Sequence, residues 1–183
     1  MIDIQKVNAH IRLDLRYATR NNFMKEVLYP EARCLLRPDV AKSLSRVQDH
    51  LEKKGMGLKI FDGYRPLSVQ KKMWARVPIE GYVANPAKGS NHNRGAAVDV
   101  TLVDKNGKEL AMPSAYDEFS ERAHRDYLGG TKEETKNRKL LEDEMQKKGF
   151  VGLRTEWWHF DFKDAKKYPV LDLPLSDAAA IKE

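Results

Sequence analysis

Residues 90–103 read Ser90-Asn91-His92-Asn93-Arg94-Gly95-Ala96-Ala97-Val98-Asp99-Val100-Thr101-Leu102-Val103. The second half is β-branched and apolar, the composition of a buried strand. Asp99 stands inside that strand, where an unpartnered carboxylate is costly. His92 precedes it, with Gly95 and two small residues between.

Outward from this strand, the chain alternates helical and extended patterns. Residues 7–17 predict a half-buried strand, because Ile11, Leu13, Leu15 and Tyr17 alternate with Arg12, Asp14 and Arg16. A polar loop follows over 18–30. Pro38 suits a first helical turn, and Val40, Leu44, Val47 and Leu51 lay one apolar stripe along a helix that ends between 53 and 57. Residues 58–62 read as a strand broken by Gly63-Tyr64-Arg65-Pro66, and a second helix is expected over 68–76. Residues 78–89 form a connection rich in Gly, Pro, Ala and Asn. After the central strand, Asn106-Gly107 marks a turn into a return strand at 109–111, with a short helix near 120–126. Thr131 and Glu134 have capping-box spacing, and Leu140, Leu141, Met145 and Phe150 give the next helix an inward face, closed at Gly149. Residues 153–162 read as one aromatic-rich strand, and the tail from 164 as loop. The expected class is α+β: a single domain over 1–183 with a central, mostly antiparallel sheet flanked by helices.

The 183 residues suffice for one domain with a real core. A 41% apolar and 33% charged composition excludes a disordered chain. The net charge of +6 is spread among mixed signs, as in Lys132-Glu133-Glu134-Thr135-Lys136, and reads as a solvated surface rather than a nucleic-acid footprint. A single cysteine, Cys34, excludes an internal disulfide and a cysteine-based zinc knuckle. No apolar run approaches the ~20 residues of a membrane span. The first residues lack the apolar core of a signal peptide, so cytoplasm is the default, with an exported or periplasmic location open if a leader was removed.

A second cluster, Glu156-Trp157-Trp158-His159, completes a metal-binding set. Catalytic zinc sites keep three protein ligands and leave a fourth position to water. His92, Asp99 and His159 fill that count, and Glu156 is the carboxylate that would take the water's proton. A lone histidine is more often structural than a ligand; it is the four residues together that argue for a zinc peptidase. The donor set also accepts other divalent ions. His10 and His50 read as surface residues and His124 as structural. One geometric expectation follows. Residues three apart on a regular strand face opposite ways, so Glu156 and His159 require a late start, a bulge or a twist.

Ser90-x-His92-x-x-Gly95-x-Ala97-x-Asp99 and Glu156-x-x-His159 resemble the motifs of the D-alanyl-D-alanine dipeptidases of the VanX type, which belong with the zinc D,D-carboxypeptidases and the Hedgehog signalling domain. Residues 14–19, 21–23, 62–66 and 98–102 and Phe150 are similar to further family segments. The resemblance implies one zinc per subunit on His92, Asp99 and His159, Glu156 as general base and later acid, and Arg65 as stabiliser of the oxyanion. It also implies that Tyr17 and Asp117 hold the substrate's free amino group and that Ser90 hydrogen-bonds substrate. Ala115 and Tyr116 depart from the family's pattern before that aspartate.

The reading is therefore zinc-dependent hydrolysis of the D-alanyl-D-alanine dipeptide, a small-molecule substrate. The runners-up are a D,D-carboxypeptidase acting on longer peptidoglycan peptides and a non-catalytic zinc-containing binding module.

Overall fold

The computed structural model describes residues 1–178. In chain order the elements are β1 (Ile2–Asp3), β2 (Arg12–Leu13), β3 (Leu35–Leu36), α1 (Pro38–Glu52), β4 (Met56–Asp62), α2 (Leu67–Arg76), β5 (Ala97–Asp104), α3 (Lys132–Gln146), β6 (Phe150–Leu153), β7 (Glu156–Phe162) and α4 (Leu175–Ala178). The sheet runs β2-β4-β5-β7-β6, and β1 pairs separately with β3. Only β2 with β4 is parallel in the sheet. The class is α+β, as the patterning predicts.

Helix α1 forms where expected, with Pro38 in its first turn and Val40, Leu44, Val47 and Leu51 fully buried. The capping box of α3 closes in both directions between Thr131 and Glu134. The two helices pack on each other and on the sheet. Strand alternation then sorts β5: Val98, Val100 and Leu102 enter this main core, while Asp99 faces the other way. A smaller apolar cluster, including Tyr17, Tyr29, Tyr64, Val69 and Met73, forms beside the site. Among the described residues, no helix is long and apolar enough to cross a membrane.

Several expectations are corrected. The strand over 7–17 shrinks to Arg12–Leu13, and Tyr17 lies in a 3-10 turn, Arg16–Ala18. The chain bends because the Tyr17 carbonyl accepts the Leu28 and Tyr29 amides instead of continuing the ladder with β4. The alternation itself survives in burial, with Ile11, Leu15 and Tyr17 all inside. The strand expected at 109–111 is a single bridge, Val103 to Glu109. The helix near 120–126 is one 3-10 turn, Glu121–Ala123. The strand expected over 153–162 is the second half of a hairpin, β6 (Phe150–Leu153) turning into β7 (Glu156–Phe162), and Phe150 belongs to β6 rather than to the helix before it. The tail adds a 3-10 turn and α4, and its last residues, 179–183, lie outside the described residues. His50 is more than a surface residue: its Nδ1 meets the buried Glu144 carboxylate at 2.6 Å.

Candidate metal centre and substrate pocket

Three short pieces of backbone bring the ligand set together. β5 and β7 pair in a register that sets Asp99 directly opposite His159. His92 sits in a single 3-10 turn, His92–Arg94, which Gly95 closes at φ 68. A side chain at Gly95 would be strained by that φ, and its Cβ would fall 2.5 Å from Met1 Sδ. All eight site residues expected from the sequence line one cavity of about 280 Å³.

His92 Nε2, His159 Nδ1 and Asp99 Oδ1 form a triangle with edges of 3.1, 3.0 and 3.3 Å. Donors about 2.0–2.2 Å from a common tetrahedral zinc would stand roughly 3.3–3.6 Å apart, so the triangle is within a few tenths of an ångström of that size. Its outer atoms decide the protonation. His92 Nδ1 lies 2.7 Å from the Gly63 carbonyl, which can only accept, so Nδ1 carries the hydrogen and Nε2 turns a lone pair inward. His159 Nε2 lies 3.0 Å from Asp161 Oδ1, which accepts its hydrogen and fixes the ring with Nδ1 facing inward. Two ring nitrogens and an ionised carboxylate oxygen at this separation need a cation to join them, either a proton held between His159 and Asp99 or a metal ion that displaces it. Although burial opposes ionisation, the two histidines hold Asp99 well below the usual carboxylate range. Burial likewise opposes charge on His159, yet hydrogen bonds to Asp161 and Asp99 push it well above the usual imidazole range.

Glu156 reaches the same cavity because the hairpin is irregular. Gly152 pairs with Phe160, but the next residue, Leu153, pairs with Glu156, leaving 157–159 without counterparts on β6. This is the irregularity that the spacing of Glu156 and His159 required. The Glu156 carboxylate stands beside the triangle, with Oε2 3.9 Å from His159 Nδ1. Burial, with the charges of Asp99 and Asp117, pushes its carboxyl up to about 8 against the pull of His159 and Arg65.

Arg65 follows the break after β4, and its amide donates to the His92 carbonyl, joining the two loops. Nε and Nη2 both donate to Asp62 Oδ2, at 3.0 and 2.7 Å, and Nη1 donates to Gln70 Oε1 at 2.8 Å. A guanidinium has five hydrogens, so one remains on each terminal nitrogen. The group is fixed, buried and still able to donate.

At the other end, the Tyr17 hydroxyl donates to Asp117 at 3.0 Å. Asp117 has φ 59, a left-handed conformation that aspartate tolerates better than most residues. Burial and the charge of Asp99 push its carboxyl up to about 8, with the Tyr17 hydrogen bond opposing. Ser90 lines the pocket, and its Oγ accepts the His92 amide at 3.2 Å.

The sequence reading overlooked the residues that hold these groups: Asp62 and Gln70 behind Arg65, Asp161 behind His159, and Tyr116 beside Asp99. Asp161 was findable, since two residues along a strand return to the same face. Gln70 gave no signal in the sequence.

The chain matches the family Peptidase_M15, described as D-ala-D-ala dipeptidase, over residues 1–179. It is 36% identical to the D-alanyl-D-alanine dipeptidase of Escherichia coli (strain K12), covering 93% of this chain and 89% of that protein. It is 33% identical to the D-alanyl-D-alanine dipeptidase of Enterococcus faecalis (strain ATCC 700802 / V583), covering 87% and 89%. A solved vancomycin-resistance D,D-pentapeptidase in complex with Zn(II) aligns at TM-score 0.46 and 16% identity, covering 72% of this chain and 74% of its own.

Proposed function

This chain belongs to the D-ala-D-ala dipeptidase family and is a hydrolase, and from that premise we propose that it cleaves D-alanyl-D-alanine to two D-alanines with zinc and a glutamate base. The observation that carries the reading is the triangle of three inward-facing donor atoms, from two imidazoles and a carboxylate, beside Glu156. His92, Asp99 and His159 would hold the ion, one per chain. Zinc bound there supplies a Lewis acid and brings the pKa of a coordinated water to about 7.

The chain's own residues do the rest. Glu156 takes one proton from the attacking water as its oxygen bonds to the peptide carbonyl carbon. Arg65 turns its two remaining N–H groups to the oxygen where negative charge develops, without reorganising, because Asp62 and Gln70 already hold it. Glu156 then gives its proton to the departing nitrogen as the C–N bond breaks. Its raised pKa suits a group that must both accept and donate near neutrality; a dication in the triangle would draw that value down. Tyr17 and Asp117 would pair with the substrate ammonium, and Ser90 would hydrogen-bond its backbone. A raised carboxyl at Asp117 supports that role, because an arriving cation removes the penalty for ionising it.

The test is amine release from D-Ala-D-Ala, L-Ala-L-Ala and N-acetyl-D-Ala-D-Ala, before and after chelation and zinc return. Zinc-dependent cleavage of the free D,D-dipeptide is expected. Preference for the acetylated compound would move the chain to carboxypeptidase action on longer peptides. No cleavage by the zinc-loaded protein would leave a binding module.

A further inference from the structure

The triangle uses one oxygen of Asp99; the other, Oδ2, accepts a hydrogen bond from the Tyr116 hydroxyl at 2.9 Å. The Arg65 guanidinium comes only to 3.9 Å of the same oxygen. Tyr116 also lies 3.3 Å from the Tyr17 hydroxyl. Each phenol has a single hydrogen to give. Tyr17 gives its own to Asp117, and Tyr116 faces two acceptors, a neutral phenol and a charged carboxylate. The carboxylate is nearer and is the stronger acceptor, so the hydrogen goes to Asp99. The ring is fixed independently of its hydroxyl. It stacks on Phe61 at 4.6 Å between centroids and meets the edge of Trp158 at 5.4 Å.

We propose that Tyr116 is a positioning residue for the metal ligand Asp99: its hydroxyl holds the outer carboxylate oxygen so that Oδ1 alone faces His92 and His159. This rests on the metal reading given above. Without the hydroxyl, the outer oxygen of a carboxylate that is 3% exposed loses its short donor, and the group is free to turn or to offer both oxygens. Tyr116 also links the metal end to the Tyr17–Asp117 pair through one phenol–phenol contact.

The experiment compares wild type, Tyr116→Phe and Tyr17→Phe in full-length protein. Zinc affinity is read by chelator competition, coordination by the visible spectrum of the cobalt(II) form, and kcat and KM on D-Ala-D-Ala. Tyr116→Phe is expected to weaken zinc about 10–100-fold and to shift the cobalt bands. Tyr17→Phe is expected to leave both unchanged and raise KM. Equal zinc affinity and cobalt spectra in wild type and Tyr116→Phe would overturn the proposal while leaving the dipeptidase reading intact. Equal weakening in both variants would overturn it too, as general loosening of the pocket. A wild type that binds no zinc would sink the metal reading and this proposal together. Placing 4-fluorophenylalanine at 116 keeps the ring and fills the hydroxyl's place with an atom that has no hydrogen to give, so it covers the case in which Tyr116→Phe fails to fold: zinc affinity and cobalt bands equal to wild type there overturn the proposal.

Discussion

The metal end and the amine end of the pocket are built by different means. His159 and Asp99 stand opposite each other on paired strands, and His92 is tied to the neighbouring loop through Gly63 and Arg65. Each ligand atom is oriented by a partner behind it. Tyr17 and Asp117 instead come from a 3-10 turn and an irregular loop and meet through one hydroxyl. The first end gets its geometry from sheet register, the second from side chains holding side chains. On the proposed function, chemistry that needs exact donor positions would sit mainly on paired strands, and recognition of an ammonium on side chains carried by loops.

The largest effect should separate the two ends by reaction step. Glu156→Gln is expected to lower kcat about 10²–10⁴-fold while zinc affinity, measured by chelator competition, stays near wild type. Substantial turnover in that variant would remove Glu156 from its role.

Next in size, Asp161→Asn weakens the hold on His159 and should loosen zinc about 10–100-fold, again by chelator competition. At the amine end, Asp117→Asn should raise KM for D-Ala-D-Ala about 10-fold, the scale of one charged hydrogen bond, with zinc affinity unchanged. It should also narrow the preference for D-Ala-D-Ala over its N-acetyl form. Burial and the charge of Asp99 raise Asp117 to about 8, so it loses its charge as pH falls through its folded value. Wild-type KM should therefore rise toward acid, and Asp117→Asn should flatten that limb. A wild-type KM that is flat with pH would break the assignment of the amine end.

The smallest effect concerns neither end and serves as the control. Glu144 on α3 is buried and meets His50, Lys54 and Lys147 at 2.6–2.8 Å, which hold it down to about 2. A depressed carboxylate stabilises the fold above its unfolded pKa of about 4.3, and that contribution is lost as pH falls toward 2. The three cations are substantially exposed, so screening limits the contribution to about 1–2 kcal/mol. Denaturation of Glu144→Gln across that window should show the pH slope reduced, with kcat/KM at neutral pH unchanged.

Much of the scaffold was legible because its signals are local. The stripe of Val40, Leu44, Val47 and Leu51, the Thr131–Glu134 box and the apolar run of β5 each need only neighbouring residues to be read. The failures share a cause as well. Tyr17 alternates like a strand residue but turns away because distant amides, those of Leu28 and Tyr29, capture its carbonyl. The turn between β6 and β7 was missed because Arg154 and Thr155 carry no turn glycine or proline. In the site, the eight residues expected from the motifs do share one cavity, whereas Gln70 was missed because a helical glutamine looks like any surface residue, and Tyr116 because its partner Asp99 lies 17 residues away.

The sequence by itself determined which side chains this protein can use: two imidazoles, a carboxylate inside an apolar strand, a second carboxylate three residues before a histidine, and an arginine set by proline. Those follow from residue type and spacing, which are local and readable. Only the tertiary structure decided which ring nitrogen faces inward, that Glu156 reaches the site across a bulge, and that Tyr116 spends its hydrogen on Asp99. His92 and Tyr116 depend on partners 29 and 17 residues away, the bulge depends on the register of a strand pair, and hydrogen-bond direction is a property of the assembled pair.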